Sequence, residues 1–360
     1  MRARFAPGAL GLFILLSFAA SADAEPYLAV QTGYKCNVCH FNPTGGGLRS
    51  EFGITYAKLL LPAEPVNSSL VSNWTGTIID SLRVGGDLRE DWSRDTAPNT
   101  ASTQAFALEQ FRVYGDLTLI TNRLAIYIDE LVAPNGSQNE EAYVMYGSTT
   151  GFYIKGGQFY LPFGWRLQDQ TAFVREATGI NMNAPDKGLE IGYERPSWSA
   201  QLDFTNGAGN TSGSGYQVTS NVVYVQPIWR LGISGSFVQS DVGDRRLAGL
   251  FAGLKTGPVA WLAEGDAIHD DSFPGGRTLA ASLVEANWLV RRGQNLKFTA
   301  EWYDPNRSVA ENEQTRYSIV YEYTPIPFLQ LRAGYRRYLG IPQSGPQNQR
   351  LTFVELHGYL

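Results

Sequence analysis

Cys36, Cys39 and His40 stand in the order C-x-x-C-H, inside the stretch Tyr34-Lys35-Cys36-Asn37-Val38-Cys39-His40. Two thiols three positions apart with an imidazole directly after them match the attachment pattern of a c-type haem. Each sulfur can bond one vinyl group, and the adjacent histidine lies under the iron as its proximal ligand. The chain of 360 residues has no other cysteine, which excludes a disulfide framework and a zinc cluster built from Cys and His. A C-x-x-C dithiol of thioredoxin type is the competing reading, and it calls for a strand-to-helix setting in a βαβ context. No such context is visible, and a structural disulfide between residues three apart would be strained.

Covalent haem attachment belongs to exported chains, and the N-terminus carries an address. Arg2 and Arg4 form a positive start, Leu10 to Ala20 is apolar apart from Gly11 and Ser17, and Ala22-Asp23-Ala24 is a small-residue cleavage site. These features predict a signal peptide over residues 1–24 and a mature chain that begins at Glu25. The apolar run is well short of the roughly 20 residues that a transmembrane helix needs, which argues against an N-terminal anchor.

The sixth position on the iron is left open by the sequence. Between Glu25 and Asn73 there is no histidine or methionine besides His40. His357, His269, Met145 and Met182 are distant in sequence; Lys35, Lys58, a nearby tyrosine and the freed α-amino group are nearer, and a five-coordinate iron is equally allowed. Residues 25–73, with Pro43, Gly45-Gly46-Gly47, Gly53, Pro62 and Pro65, form a loop-rich haem segment and linker. A short helix is predicted within Leu48 to Leu61. A piece of about fifty residues is small for a robust core of its own, so it needs something larger to lean on.

Residues 74–360 supply that body. Only 18% of residues are charged against about 25% in soluble proteins, and 38 are glycines. Apolar and polar residues alternate with period two in sixteen runs, the first near 76–91 and the last near 349–360. In Gln314 to Tyr323, for example, Gln314, Arg316, Ser318 and Glu322 oppose Tyr317, Ile319, Tyr321 and Tyr323. The connections sort by length. Thr121-Asn122, Gly151, Pro196, Pro227, Gly257, Gly293 and Pro325 mark tight turns, whereas 92–103, 162–186, 207–215, 269–276, 305–312 and 339–348 are longer. An even strand count with short turns on one rim and long loops on the other predicts an all-β fold, an antiparallel transmembrane β-barrel of about 16 strands. Its short turns would be periplasmic and its long loops extracellular, with the N-terminus periplasmic or in the lumen. Trp74, Trp92, Trp198, Trp229, Trp288, Trp302 and Tyr359 are placed for interfacial girdles. On the final strand Val354, Leu356 and Leu360 face lipid while Glu355 and His357 face inward, which makes His357 a candidate distal iron ligand near the periplasmic rim or, more simply, a polar lumen residue. The net charge of −5 argues against a nucleic-acid partner.

The stretch Pro26-Tyr27-Leu28-Ala29-Val30-Gln31-Thr32-Gly33-Tyr34-Lys35-Cys36, then Cys39-His40, Pro43 and Glu51-Phe52-Gly53, resembles the start of fused outer-membrane monohaem cytochrome–porins, the iron-oxidising Cyc2-like cytochromes among them. Gln158 to Gly164 and Gly188 to Glu194 resemble segments of phosphate-selective porins. The resemblance implies one covalent haem c held by Cys36 and Cys39, with His40 as proximal ligand, in a porin-like barrel of the outer membrane. It also implies single-electron transfer between periplasmic electron-carrier proteins and an extracellular donor or acceptor such as Fe(II), which would make the protein an electron carrier and in the iron case an oxidase. Gly45-Gly46-Gly47 and the short barrel depart from the iron oxidases.

Two rivals remain at this stage. The first is a passive or gated anion-preferring porin, with the haem segment as plug or redox sensor and Arg83, Arg89, Arg112, Arg316, Arg332 and Arg336 lining the lumen. The same arginines would equally suit ion pairs with Asp87, Asp116, Glu301 and Glu322. The second is a haem enzyme with an open iron site, against which the lack of a distal His or Arg near 41–60 counts mildly. N-terminal sequencing of the exported protein is expected to start at Glu25; a start at Met1 would remove the export address on which haem attachment depends.

Overall fold

The structure is a computed structural model that describes residues 25–207 and 215–360; the expected signal peptide, 1–24, lies outside the described residues. Four short helices come first: α1 (Pro26–Thr32), α2 (Cys36–Cys39), α3 (Glu51–Leu59) and α4 (Ser69–Asn73). The helix expected within Leu48 to Leu61 is α3, and it starts where Ser50 caps it, its Oγ accepting from Gly53 N at 3.0 Å.

Seventeen strands follow in one sheet. The first, β1 (Thr77–Ile79), is a three-residue ribbon on β2 (Leu82–Thr96). The single run expected at 76–91 is thus divided by the turn at Asp80-Ser81, and β2 extends further at its far end. The other strands are β3 (Thr103–Ile120), β4 (Leu124–Ala133), β5 (Gln138–Gly147), β6 (Phe152–Phe159), β7 (Asp186–Glu194), β8 (Trp198–Thr205), β9 (Gly215–Val225) and β10 (Trp229–Ser240). They continue as β11 (Arg245–Thr256), β12 (Val259–Asp270), β13 (Arg277–Arg291), β14 (Gln294–Asp304), β15 (Gln314–Ile326), β16 (Leu329–Leu339) and β17 (Arg350–Tyr359). Each long strand pairs antiparallel with the next, and β17 returns to β2 from Arg350↔Thr96 to Tyr359↔Asp87. Setting β1 aside, sixteen strands close a barrel with no free edge, as the alternation predicts.

The alternation decides which face of the wall is which. Along β15, Tyr317 is 52% exposed and Ile319 41%, whereas Arg316 is 1% and Glu322 2% exposed. The charged set is inside, and the outer face is an apolar band that only hydrocarbon can cover. Among the described residues no helix is long and apolar enough to cross a membrane; the crossing is made by strands. Trp198, Trp229, Trp261 and Trp288 are exposed on the outer face near the short-turn ends of their strands, as an aromatic girdle requires. Tyr359 is not part of that girdle. It is buried on the lumen side under the Arg49 guanidinium, 4.6 Å from the ring centroid.

The long connection 160–185 does not remain outside. It folds into the lumen, where its helix α5 (Phe173–Thr178) packs against β12, β13 and β14. Phe163, Trp165, Leu167, Phe173 and Val174 are buried there. This many apolar side chains in one loop would be costly in water, and the polar anchors are built in. Phe173 N donates to Glu301 at 2.7 Å, Arg316 reaches Asp169 at 2.8 Å, and Arg175 pairs with Glu264.

The outer band gives a direct test. Ile319→Arg, near the middle of β15, is expected to cost about 2–4 kcal/mol in denaturant unfolding from lipid vesicles; a loss under about 0.5 kcal/mol, the range of a neutral surface site, would mean that this face does not meet lipid.

Candidate functional site

Residues 25–63 are docked inside the rim that carries the short turns, and 64–73 continue as a mostly exposed linker. Gly33 ends α1 with φ 76°, and its N–H reaches Ala29 O. Of the segment's apolar residues Tyr27, Val30, Leu48, Ile54 and Ala57 are buried, whereas Phe52, Leu59, Leu60 and Leu70 stay exposed. Tyr27, Val30 and Leu48 join one cluster with barrel residues such as Tyr114, Tyr127 and Phe251. The missing core is therefore borrowed from the wall. Around the rim, Lys35 pairs with Glu194 and donates to Arg195 O at 2.8 Å. Lys255 donates to Gln31 O at 2.7 Å, Arg292 to Pro62 O at 2.7 Å, and Ala63 N to Thr324 O at 2.8 Å. Deeper in, Asn42 donates to Glu141 at 3.0 Å and Leu48 N to the Tyr127 hydroxyl at 3.1 Å. Gly47 is required at that point: its φ is 61°, and a Cβ would stand 2.0 Å from the same hydroxyl.

Cys36 and Cys39 bound the single turn of α2, and His40 leaves it in an extended conformation, bridged to Arg49. Gly53 of α3 lets the two pieces meet, since a Cβ there would fall 2.1 Å from Cys39 O. Both thiols and the imidazole line one cavity of about 190 Å³, far more than the ~10–15 Å³ that a single water needs. Trp165 and Phe251 are on its walls, as are Arg49, Arg166, Arg230 and His357.

The chemistry of the donors fits a haem c better than a dithiol. Burial pushes the Cys36 thiol up, and the Cys39 thiol to about 11; a dithiol catalyst needs the opposite, a stabilised thiolate. Burial, with the Arg49 cation adding to it, holds the His40 imidazole down at about 3. The ring is thus neutral at physiological pH, the form in which imidazole binds iron, and its Nδ1 is buried without a hydrogen-bond partner.

The structure sorts the candidates for the sixth position. His357 lines the same cavity, but its Nε2 is 2.8 Å from Asp87 Oδ2 and its Nδ1 3.0 Å from Gln330 Oε1. It would have to release one of these to reach a metal. His269 does not lie in a loop as expected but on β12 near the rim of the longer loops, 3.0 Å from Asp271. Met182 is buried beside Tyr160, Met145 packs on the main apolar cluster, and neither borders the cavity. Lys58 is turned away onto the carbonyls of Ser72 and Trp74. Lys35, Tyr34, Tyr56 and Glu25 do border it.

The six arginines expected in the lumen are paired rather than free. Arg83 lies 3.9 Å from Asp116, Arg89 3.0 Å from Glu355, Arg112 3.0 Å from Asp129, Arg332 2.9 Å from Glu355 and Arg336 2.9 Å from Asp169. Arg316 meets both Asp169 and Glu301. Although burial works against it, Arg316 and Arg336 hold the Asp169 carboxyl well below the usual range. Sequence reasoning missed Arg166 and Arg230 as site residues. Arg230 stands at an inward position of β10 that alternation could have revealed; Arg166 comes from the inward loop, where periodicity is silent.

A closed sixteen-stranded barrel with an apolar outer band, a loop folded into a charged lumen and short turns on one rim is a porin-like β-barrel of the outer membrane. Solved structures share the fold. OmpT of Vibrio cholerae superposes with a TM-score of 0.61 at 11% identity, over 79% of this chain and 99% of that one. An anion-selective porin from Comamonas acidovorans gives 0.62 at 12% identity, over 78% and 99%. The outer-membrane channel DcaP of Acinetobacter baumannii gives 0.59 at 11% identity, over 78% and 97%. Neither a protein-family profile nor a curated protein sequence matches the chain.

Gly47→Val should break the docking without breaking the barrel. Protease sensitivity within residues 41–60 and a rise in bilayer conductance are expected, with the folded-barrel migration on unheated gels kept; unchanged conductance and protection would show that the segment does not occlude the mouth.

Proposed function

We propose that the chain is an outer-membrane electron carrier in which a porin-like barrel holds one covalent haem c at its periplasmic mouth. The observation that carries this reading is the convergence of Cys36, Cys39 and His40 on one lumen cavity. When bound, the haem supplies one-electron cycling of its iron. Cys36 and Cys39 would hold it through thioethers, and His40 would ligate the iron from one side. Trp165 and Phe251 keep that part of the cavity apolar, and an apolar, water-poor surrounding tunes a haem's potential. Periplasmic electron-carrier proteins would meet the short-turn rim. Extracellular Fe(II), or another metal donor or acceptor, is the outer partner that the sequence resemblance implies.

A second reading is a passive or redox-gated channel that prefers anions. The fold shared with an anion-selective porin favours it, while the pairing of Arg83, Arg89, Arg112, Arg316, Arg332 and Arg336 with carboxylates speaks for a balanced lumen over a basic track.

Purified protein is expected to show c-type absorption and a haem stain that survives a denaturing gel, and Cys36→Ser with Cys39→Ser should abolish the stain. A colourless parent protein would overturn the electron-carrier reading. Reduction of the haem by Fe(II) is the outcome expected for the iron-oxidising form, and a haem that Fe(II) cannot reduce would leave electron transfer with another donor. Large conductance that does not change with redox state would favour the channel.

A further inference from the structure

Arg230 breaks the pattern of the lumen. It is 4% exposed, yet among the described residues no carboxylate pairs with it. Its Nη2 donates to the carbonyls of Ala29 and Tyr34, and its guanidinium lies 6.0 Å from the Trp165 ring centroid. Arg166 is nearly the same case. Its Nη1 donates to the Thr44 hydroxyl at 2.9 Å and to Gly45 O, while its Nη2 is buried with no hydrogen bond and has only a loose ion pair, 3.9 Å from Glu141. A buried guanidinium without a close counter-charge is costly, and an anion in the cavity would offset that cost at Arg230 and fill the free Nη2 of Arg166. Both side chains line the cavity of Cys36, Cys39 and His40, and both act electrostatically on the Cys36 thiol.

Resting on the haem reading above, we propose that Arg230 and Arg166 are the receptors of the haem's two propionate carboxylates, so that the cavity is completed electrically only when the cofactor is in place. The geometry of a guanidinium suits this: its planar fork takes a carboxylate through paired charge-assisted hydrogen bonds. The two arginines come from opposite kinds of element, Arg230 from the wall strand β10 and Arg166 from the inward loop. Binding therefore ties the loop to the barrel through the ligand, and Gly45, whose carbonyl already receives Arg166, brings the tie back to the Cys36 segment. The arginines also bear on the redox state: a cation beside the haem disfavours the ferric form, and a neutral replacement lowers the midpoint potential.

The test uses two preparations. In the holoprotein, Arg230→Gln with Arg166→Gln is expected to retain the covalent haem stain and the folded-barrel gel migration while the midpoint potential falls. Arg230→Lys with Arg166→Lys should restore most of the shift. An unchanged midpoint potential overturns the proposal. In the Cys36→Ser, Cys39→Ser protein, added haemin is expected to bind at least ten-fold more tightly than haemin dimethyl ester, which lacks the two charges. The glutamine pair should erase that preference. Equal affinity for haemin and its ester in the protein with both arginines overturns the assignment of the propionates and leaves the haem reading intact. A parent protein without covalent haem that also fails to bind haemin overturns the haem reading itself.

Discussion

A charge taken out of water must find its opposite, and this rule organises the interior of the barrel. On the inward face of the wall Arg83, Arg89, Arg112, Arg316, Arg332 and Arg336 each stand against an aspartate or glutamate. The inward loop uses the same currency, with Asp169 between Arg316 and Arg336 and Arg175 on Glu264. Where the pairs stop, the site begins. Around Cys36, Cys39 and His40 the guanidiniums of Arg49 and Arg230 rest on carbonyls and aromatic rings instead.

The N-terminal segment obeys a second constraint, shortage of apolar surface. About fifty residues cannot bury enough to offset chain entropy alone, so Tyr27, Val30 and Leu48 are completed by Tyr114, Tyr127 and Phe251 of the wall and Ile54 and Ala57 are buried with them. Turn residues that elsewhere would only reverse the chain are here docking points, as at Gly293, where a Cβ would crowd Ala63 N at 2.5 Å. Fold and site are thus one construction: the barrel supplies the core that the chemically active segment lacks.

Much of this was legible beforehand, for physical reasons. Period-two alternation is a property of neighbouring residues, so Arg316 and Glu322 inside with Tyr317 and Ile319 outside could be read directly. The C-x-x-C-H motif is local in the same sense. What stayed hidden depends on contacts distant in sequence. The loop at 160–185 reads as a surface connection until the wall provides Glu264 and Glu301 for its anchors. Tyr359 reads as a girdle residue until Arg49 is seen over its ring. The ring nitrogens of His357 look free until Asp87 and Gln330 take them. Arg166 carried no periodic signal, because a loop has none.

The seam between β2 and β17 is shared with the N-terminal segment. The end of β17 is held from two sides: Leu360 N donates to Gly86 O of β2, while Leu360 O accepts from Arg49 of the N-terminal segment at 3.3 Å. Leu48 also presses on Gly85 of β2, where a Cβ would stand 2.9 Å from its Cδ1. The first part of the chain therefore braces the join between the first and last long strands. Seam and mouth thus share residues, so a substitution that loosens the segment also removes contacts from the join of β2 and β17.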